Sequence, residues 1–273
     1  MISVEPIEKI LKCVLASGKV GGERPLSLII IAPVECGKTS IIRRYCLKAG
    51  NVFYTTDATA FGIVRDTNQL KDFGSGKLTH IVIPDLLTCL GRKQDTVTTF
   101  IHFMNSLIEE GVVNISTYAS TIKGSVEVKA GLITAIPPKP FSDKRRHWER
   151  IGFLSRSLPV SFDYQVSTQL QILSYIENQQ HLQEKLEDFK LPQESKEVEL
   201  PLDMAKKIEP YALLLAAAAS SQYHKLYGFR YQRQLQTFAK ALALLEQKDE
   251  VDDQCIQELG RLANYINLNL SKI

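Results

Sequence analysis

The strongest constraint on the fold of this chain is the way an apolar run meets a glycine-bearing loop. "LSLIIIA" (26–32) is apolar apart from Ser27 and passes directly into "PVECGKTS" (33–40), after which residues 38 to 49 carry helical spacing up to Gly50. A short apolar run that does not alternate suits a strand covered on both faces, as in a parallel sheet. A strand, a glycine loop and a helix in that order make an anion cradle, because loop and helix N–H groups and the helix dipole all point at one spot. In such a loop Lys38 would reach the β and γ phosphates of ATP, and the Thr39 hydroxyl would bind magnesium. The candidate nucleotide-binding residues are therefore Ala32, Pro33, Val34, Glu35, Cys36, Gly37, Lys38, Thr39 and Ser40. Two of them depart from the ordinary pattern. Ala32 stands where glycine is usual and is tolerable if its φ stays negative. Glu35 brings a carboxylate that must point away from phosphates.

The remaining chain continues the alternation. Residues 5 to 17 have helical spacing, "GKVGGERP" reads as a turn, and strands are expected at 51–56, 80–85, 131–138 and 157–164. A helix at 95–110, "DTVTTFIHFMNSLIEE", stops at Gly111, and "VVNISTYAST" and "SVEVKAG" around "IKGS" have the period of a hairpin. The fold class expected is thus α/β, a parallel five-stranded P-loop NTPase sheet flanked by helices. Residues 166 to 189 read as helical, "KLPQESKEVELPLD" as a linker, and only helical patterns follow Met204. The division expected is an α/β ATPase domain over 1–190 and a small all-α lid over 191–273.

Asp85 ends "HIVIPD", where a carboxylate at the carboxyl edge of a neighbouring strand can hold magnesium through water. Many such sites carry a glutamate next, to polarise the attacking water, but here Leu86 follows. Glu109 and Glu110 are candidates to replace it.

With 33 Lys and Arg against 30 Asp and Glu, the net charge of +3 does not argue for nucleic acid, so any basic surface must be local. The five cysteines lack paired or zinc-like spacing and read as buried thiols. Neither a signal-peptide pattern nor an apolar run long enough for a bilayer is present, so no membrane partner and a cytoplasmic location are expected.

Taken together, the order of parts resembles an AAA+ ATPase module, and within that class is similar to the minichromosome maintenance helicases. "SLIEEGVVNISTYAS" looks like their helix and hairpin, "GLITAIPP" like their sensor-1 strand and "GFLSRSLPVSF" like their arginine-finger segment. "YQRQLQTFAKALALLEQKDEVDDQCIQEL" looks like their lid. The resemblance implies Arg156 as an arginine finger acting in a neighbouring subunit. It implies Arg233, with Arg230 competing, as a lid arginine reaching the γ phosphate, and Thr134 as the nearest substitute for the missing sensor-1 asparagine. It also implies Lys123 at a hairpin tip on DNA, a homo-oligomer that is habitually a hexamer in this class, and a separate specificity or DNA-binding protein. A second basic cluster, "KRRHWER" (144–150), could face DNA or a neighbouring subunit.

Three functions remain open. The first is an oligomeric, ATP-hydrolysing motor coupled to DNA. The second is a nucleotide-gated assembly protein with slow hydrolysis that acts on a protein partner. The third is an interaction module that no longer binds nucleotide.

Overall fold

A computed structural model describes residues 4–65, 67–116, 121–179, 186, 189–221, 225–269 and 271–272. Numbered along the chain, β1 (Leu28–Ile31), β2 (Val52–Tyr54), β3 (His80–Ile83), β6 (Gly131–Ile136) and β7 (Leu158–Asp163) form one sheet. Their order is β2-β3-β6-β1-β7 and every pairing is parallel. A two-residue strand β8 (Ser271–Lys272) adds to the β7 edge. The five expected strands are all present. The strand carrying Asp85 is not adjacent to the one carrying the loop, however, because β6 lies between them.

Burial explains the strand sequences. β1, β3 and β6 are buried at every position, which matches runs of Ile, Leu and Val rather than alternation. Successive side chains point to opposite faces. Ile30, Val82, Ile133 and Ala135 share a core with α1 (Glu5–Ser17), α2 (Lys38–Cys46), α9 (Leu202–Ala219), α10 (Phe229–Leu245) and α11 (Asp253–Ala263). Ile29, Ile31, Ile81, Leu132 and Ile136 face a second core with α6 (Gln94–Asn105) and α7 (Pro138–Arg150).

The first of these cores does not divide at residue 190. Ile7, Leu11 and Val14 of α1 pack in one cluster with Leu235, Phe238 and Leu242 of α10 and with Leu259 of α11. Ion pairs reinforce the join. The Arg261 guanidinium donates to both oxygens of Glu5 at 2.8 and 2.9 Å, and Lys240 reaches Glu23 at 2.6 Å. The tail is helical as expected, but it shares its core with the amino-terminal helix and the sheet.

Helix α7 was not expected, since its sequence holds two prolines, Pro138 and Pro140, and a charge cluster. Pro138 occupies its first turn, where a missing N–H costs nothing. Trp148 then anchors it, edge-on to Phe141 at 5.9 Å and to Phe153 at 5.3 Å. Two short helices, α3 (Ala60–Arg65) and α4 (Thr67–Gly74), lie between β2 and β3, and a one-turn helix, α5 (Leu87–Leu90), follows β3. The hairpin is formed by β4 (Val112–Ser116) and β5 (Thr121–Val128), paired antiparallel.

Candidate functional site

The loop lies where its chemistry needs it, between the carboxyl end of β1 and the start of α2. Two residues take left-handed backbone there, Glu35 at φ 67° and Gly37 at φ 68°. Gly37 does so freely, whereas Glu35 carries the strain of a side chain in that region. The Glu35 side chain is exposed at the mouth of the cavity beside the loop. Ala32 keeps a negative φ and is fully buried, so its methyl group is accommodated as expected.

Inside this loop the Lys38 ammonium donates to the carbonyls of Ala32, at 2.8 Å, and Pro33, at 2.6 Å. Burial pushes its pKa down, while the Cys36 thiol and the Asp85 carboxylate pull it back up. The loop is pinned from β7 by Tyr164, whose hydroxyl donates to the Cys36 carbonyl at 2.7 Å. Burial first, and the neighbouring Cys36 second, push the Tyr164 phenol up to about 12, so it remains a donor. Tyr164 was not singled out from the sequence. Its one signal is its place just past the carboxyl end of a buried strand.

Asp85 stands at the end of β3 and accepts from the Leu87 N–H at 3.0 Å. With Gly37, Lys38, Thr39 and Tyr164 it lines one open cavity of about 800 Å3. That volume lies within the range of small-molecule and cofactor sites. Helix α8 (Val166–Glu177) forms the remaining wall. Among the described residues no group of three His, Cys, Asp or Glu could hold a metal ion. A magnesium ion here would depend on the Thr39 hydroxyl and the Asp85 carboxylate, both hard oxygen donors, together with phosphate oxygens.

Several expected site residues stand elsewhere. Leu86 is fully buried in the second core, so this position cannot present a carboxylate to the cavity. Thr134 is also fully buried, and among the described residues its hydroxyl has no partner. The β6 residue lining the cavity is Ala135, which points to the opposite face, so Thr134 does not orient a water there.

Arg156, Arg230 and Arg233 lie at the other edge of the sheet. With Arg24 and Glu109 they border a cavity of about 380 Å3 that also touches Leu26 and Ser27, just before β1 begins. The four residues of β1, roughly 13 Å, therefore separate them from the phosphate loop. Arg233 consequently cannot serve the loop of its own chain. Glu109 sits among Arg24 at 3.4 Å, Arg230 at 3.6 Å and Arg233 at 3.8 Å, while Glu110 faces Arg156 at 3.6 Å. Both glutamates are thus placed against arginines and do not stand in for a catalytic acid beside Asp85.

Within the cluster exposure differs. Arg156 donates to the Gly152 carbonyl at 2.7 Å and its side chain is only 10% exposed, against 42% for Arg230 and 63% for Arg233. Burial and the Arg230 charge push the Arg156 pKa down, and Glu109 and Glu110 oppose that shift. The side chains that project outward are Arg230 and Arg233.

The reversal of the hairpin falls between Ser116 and Thr121, which pair with each other, so residues 122–125 belong to β5. Lys123 is paired with Asn114 rather than placed at a tip, and its side chain lies outside the described residues. In the second basic cluster Arg145 is tied within the fold, to Glu149 at 2.8 Å and to the Ala218 carbonyl at 3.0 Å. All five cysteines are buried and none forms a disulfide. Among the described residues no helix is long and apolar enough to cross a membrane. No protein-family model matches the chain, and no curated protein sequence does.

Proposed function

We propose that the chain is an oligomeric ATP-binding module of the AAA+ kind, in which the arginine edge of one copy completes the phosphate site of the next. The observation that carries this reading is that Lys38 and Thr39 line one cavity with Asp85, which lies more than forty residues away in sequence. Lys38 would exchange the carbonyls of Ala32 and Pro33 for phosphate oxygens. Thr39 and Asp85 would hold the magnesium ion, which when bound supplies charge neutralisation between the phosphates. Tyr164 keeps the loop in shape throughout.

Catalysis within one copy is expected to be slow. Leu86 offers no base, Thr134 is sealed in the core, and every arginine of the cluster is on the far edge. Arg230 and Arg233 from a second copy would supply the missing positive charge, an effect of ~10³–10⁵ in comparable phosphoryl-transfer sites. This favours a nucleotide-gated assembly whose hydrolysis depends on contact between copies. Coupling to DNA is a weaker reading, since the residue offered for it, Lys123, is not at a hairpin tip.

Two measurements test the proposal. Magnesium–ATP at a hundred times its dissociation constant should stabilise the fold by about 2.7 kcal/mol, and Lys38→Ala should remove the shift. ATP turnover per subunit should rise steeply with protein concentration, and Arg233→Ala should flatten that rise while leaving the thermal shift intact. No thermal shift in the parent chain ends the nucleotide reading. Turnover independent of concentration ends the shared site, and turnover raised by added DNA restores the DNA-coupled motor.

A further inference from the structure

Two exposed apolar features stand beside the two halves of the proposed site. Helix α8 has no buried residue, and Val166, Leu170, Leu173 and Ile176 are 70, 62, 55 and 49% exposed. Their spacing puts them on one face of the helix, and a bare apolar stripe of this kind calls for a partner. Leu173 and Ile176 also line the cavity that contains Lys38 and Asp85.

At the other edge, Tyr227 and Phe229 are 63 and 76% exposed. Their rings stack on each other, centroids 5.8 Å apart and 15° from parallel. Gly228, at φ 88°, makes the left-handed turn that sets both rings outward at the start of α10. Phe229 directly precedes Arg230, and Arg233 follows one helical turn later, about 6 Å along the axis.

We infer that the stacked Tyr227–Phe229 pair of one copy docks on the apolar stripe of α8 of the next copy. The inference rests on the shared-site reading above. If Arg230 and Arg233 approach the cavity of a second copy, the aromatic pair must arrive within roughly 10 Å of them, given the helical rise. α8 lines that cavity and carries its exposed stripe within this reach. The charges agree with this seating. The cavity carries Glu35 and Asp85 against Lys38, and bound triphosphate would make it strongly negative, whereas the opposite edge presents Arg24, Lys129, Arg156, Arg230 and Arg233 against only Glu23 and Glu109. The contact is head-to-tail, because the two patches differ, so it propagates into a ring or a filament and does not stop at a dimer.

The test uses the full chain in magnesium–ATP, sized by light scattering after gel filtration. Leu170→Asp blocks the stripe and Phe229→Glu blocks the aromatic pair. Neither residue lines the nucleotide cavity, and both are exposed, so an unchanged ATP thermal shift verifies folding and binding in each variant. Each variant alone should associate at least tenfold more weakly than the parent. A one-to-one mixture should regain a species of twice the subunit mass and nothing larger, because one copy brings an intact stripe and the other an intact ring pair. Assembly of either variant at parental strength overturns the pairing. So does a mixture that stays monomeric, or a parent chain that is monomeric in magnesium–ATP while its thermal shift persists. A parent chain with no thermal shift that still shows the full association pattern removes the nucleotide reading and keeps the contact.

Discussion

His80 shows how one buried side chain sets the pH response of the fold. It sits in the central sheet at zero exposure, with Nδ1 2.9 Å from the Thr79 hydroxyl. Burial disfavours its charged form and pushes its pKa down to about 4, from 6.5 in an exposed imidazole. The unfolded chain therefore binds a proton at a higher pH than the folded one. Stability is complete above pH 6.5 and falls as the pH drops toward 4, by roughly 2 kcal/mol at pH 5 from this group. Urea midpoints at pH 7 and pH 5 measure the loss, and His80→Gln should reduce the difference between them. The sequence displays this histidine inside an apolar run, but its neutral state comes from the packing of β3 between β2 and β6. Lys38 is the opposite case. Its place at the start of α2, directly after the left-handed Gly37, could be read from "CGKTS" alone, because local backbone geometry fixes that spacing.

Strands were legible to within one or two residues, since each is a compact apolar run bounded by polar or turn-forming residues. What adjacency in sequence could not reveal was their order. β6 separates β1 from β3 and has to pass close to both. Gly131 makes this possible, because a Cβ there would stand 2.2 Å from the Leu26 carbonyl oxygen and 2.7 Å from the His80 ring. Gly131→Ala should cost roughly 3 kcal/mol, at the upper end of overpacking, and thermal melting should fall accordingly. Helices were harder. α7 is stabilised by Trp148 packing between Phe141 and Phe153, a tertiary contact that offsets its run of cations, while its two prolines sit harmlessly in the first turn. For the hairpin, alternation was read correctly, but alternation does not mark where a turn falls. The reversal lies just ahead of "IKGS", and Lys123 moved into a strand as a result.

The helical tail carries half of the larger core, so the molecule should unfold as a unit. A chain ending at residue 190 would leave Ile7, Ile10, Leu11 and Val14 without the α10 and α11 side chains that cover them. Each such side chain contributes about 1.5–3 kcal/mol of burial, so losing these four is comparable to the roughly 5–15 kcal/mol that keeps a typical domain folded. We expect the 1–190 fragment to lack a cooperative thermal transition by circular dichroism, and the full chain to show one transition by both fluorescence and dichroism. A fragment that melts cooperatively would restore the two-domain division.

From the amino-acid order alone followed the glycine-bearing loop between β1 and α2, the carboxylate of Asp85 just past β3, the five parallel strands and the apolar Leu86. All of these depend on contacts or spacings a few residues long. The assignment of the arginines to an edge did not follow. Arg156, Arg230 and Arg233 are ordinary surface-type residues in sequence, and their clustering with Glu109 arises from the 3-10 turn at Leu154–Arg156 meeting the start of α10. The parallel sheet then fixes the outcome. Every β1 residue adds about 3.3 Å between its two ends, so groups at the amino edge and the carboxyl edge of one copy cannot act on the same phosphate.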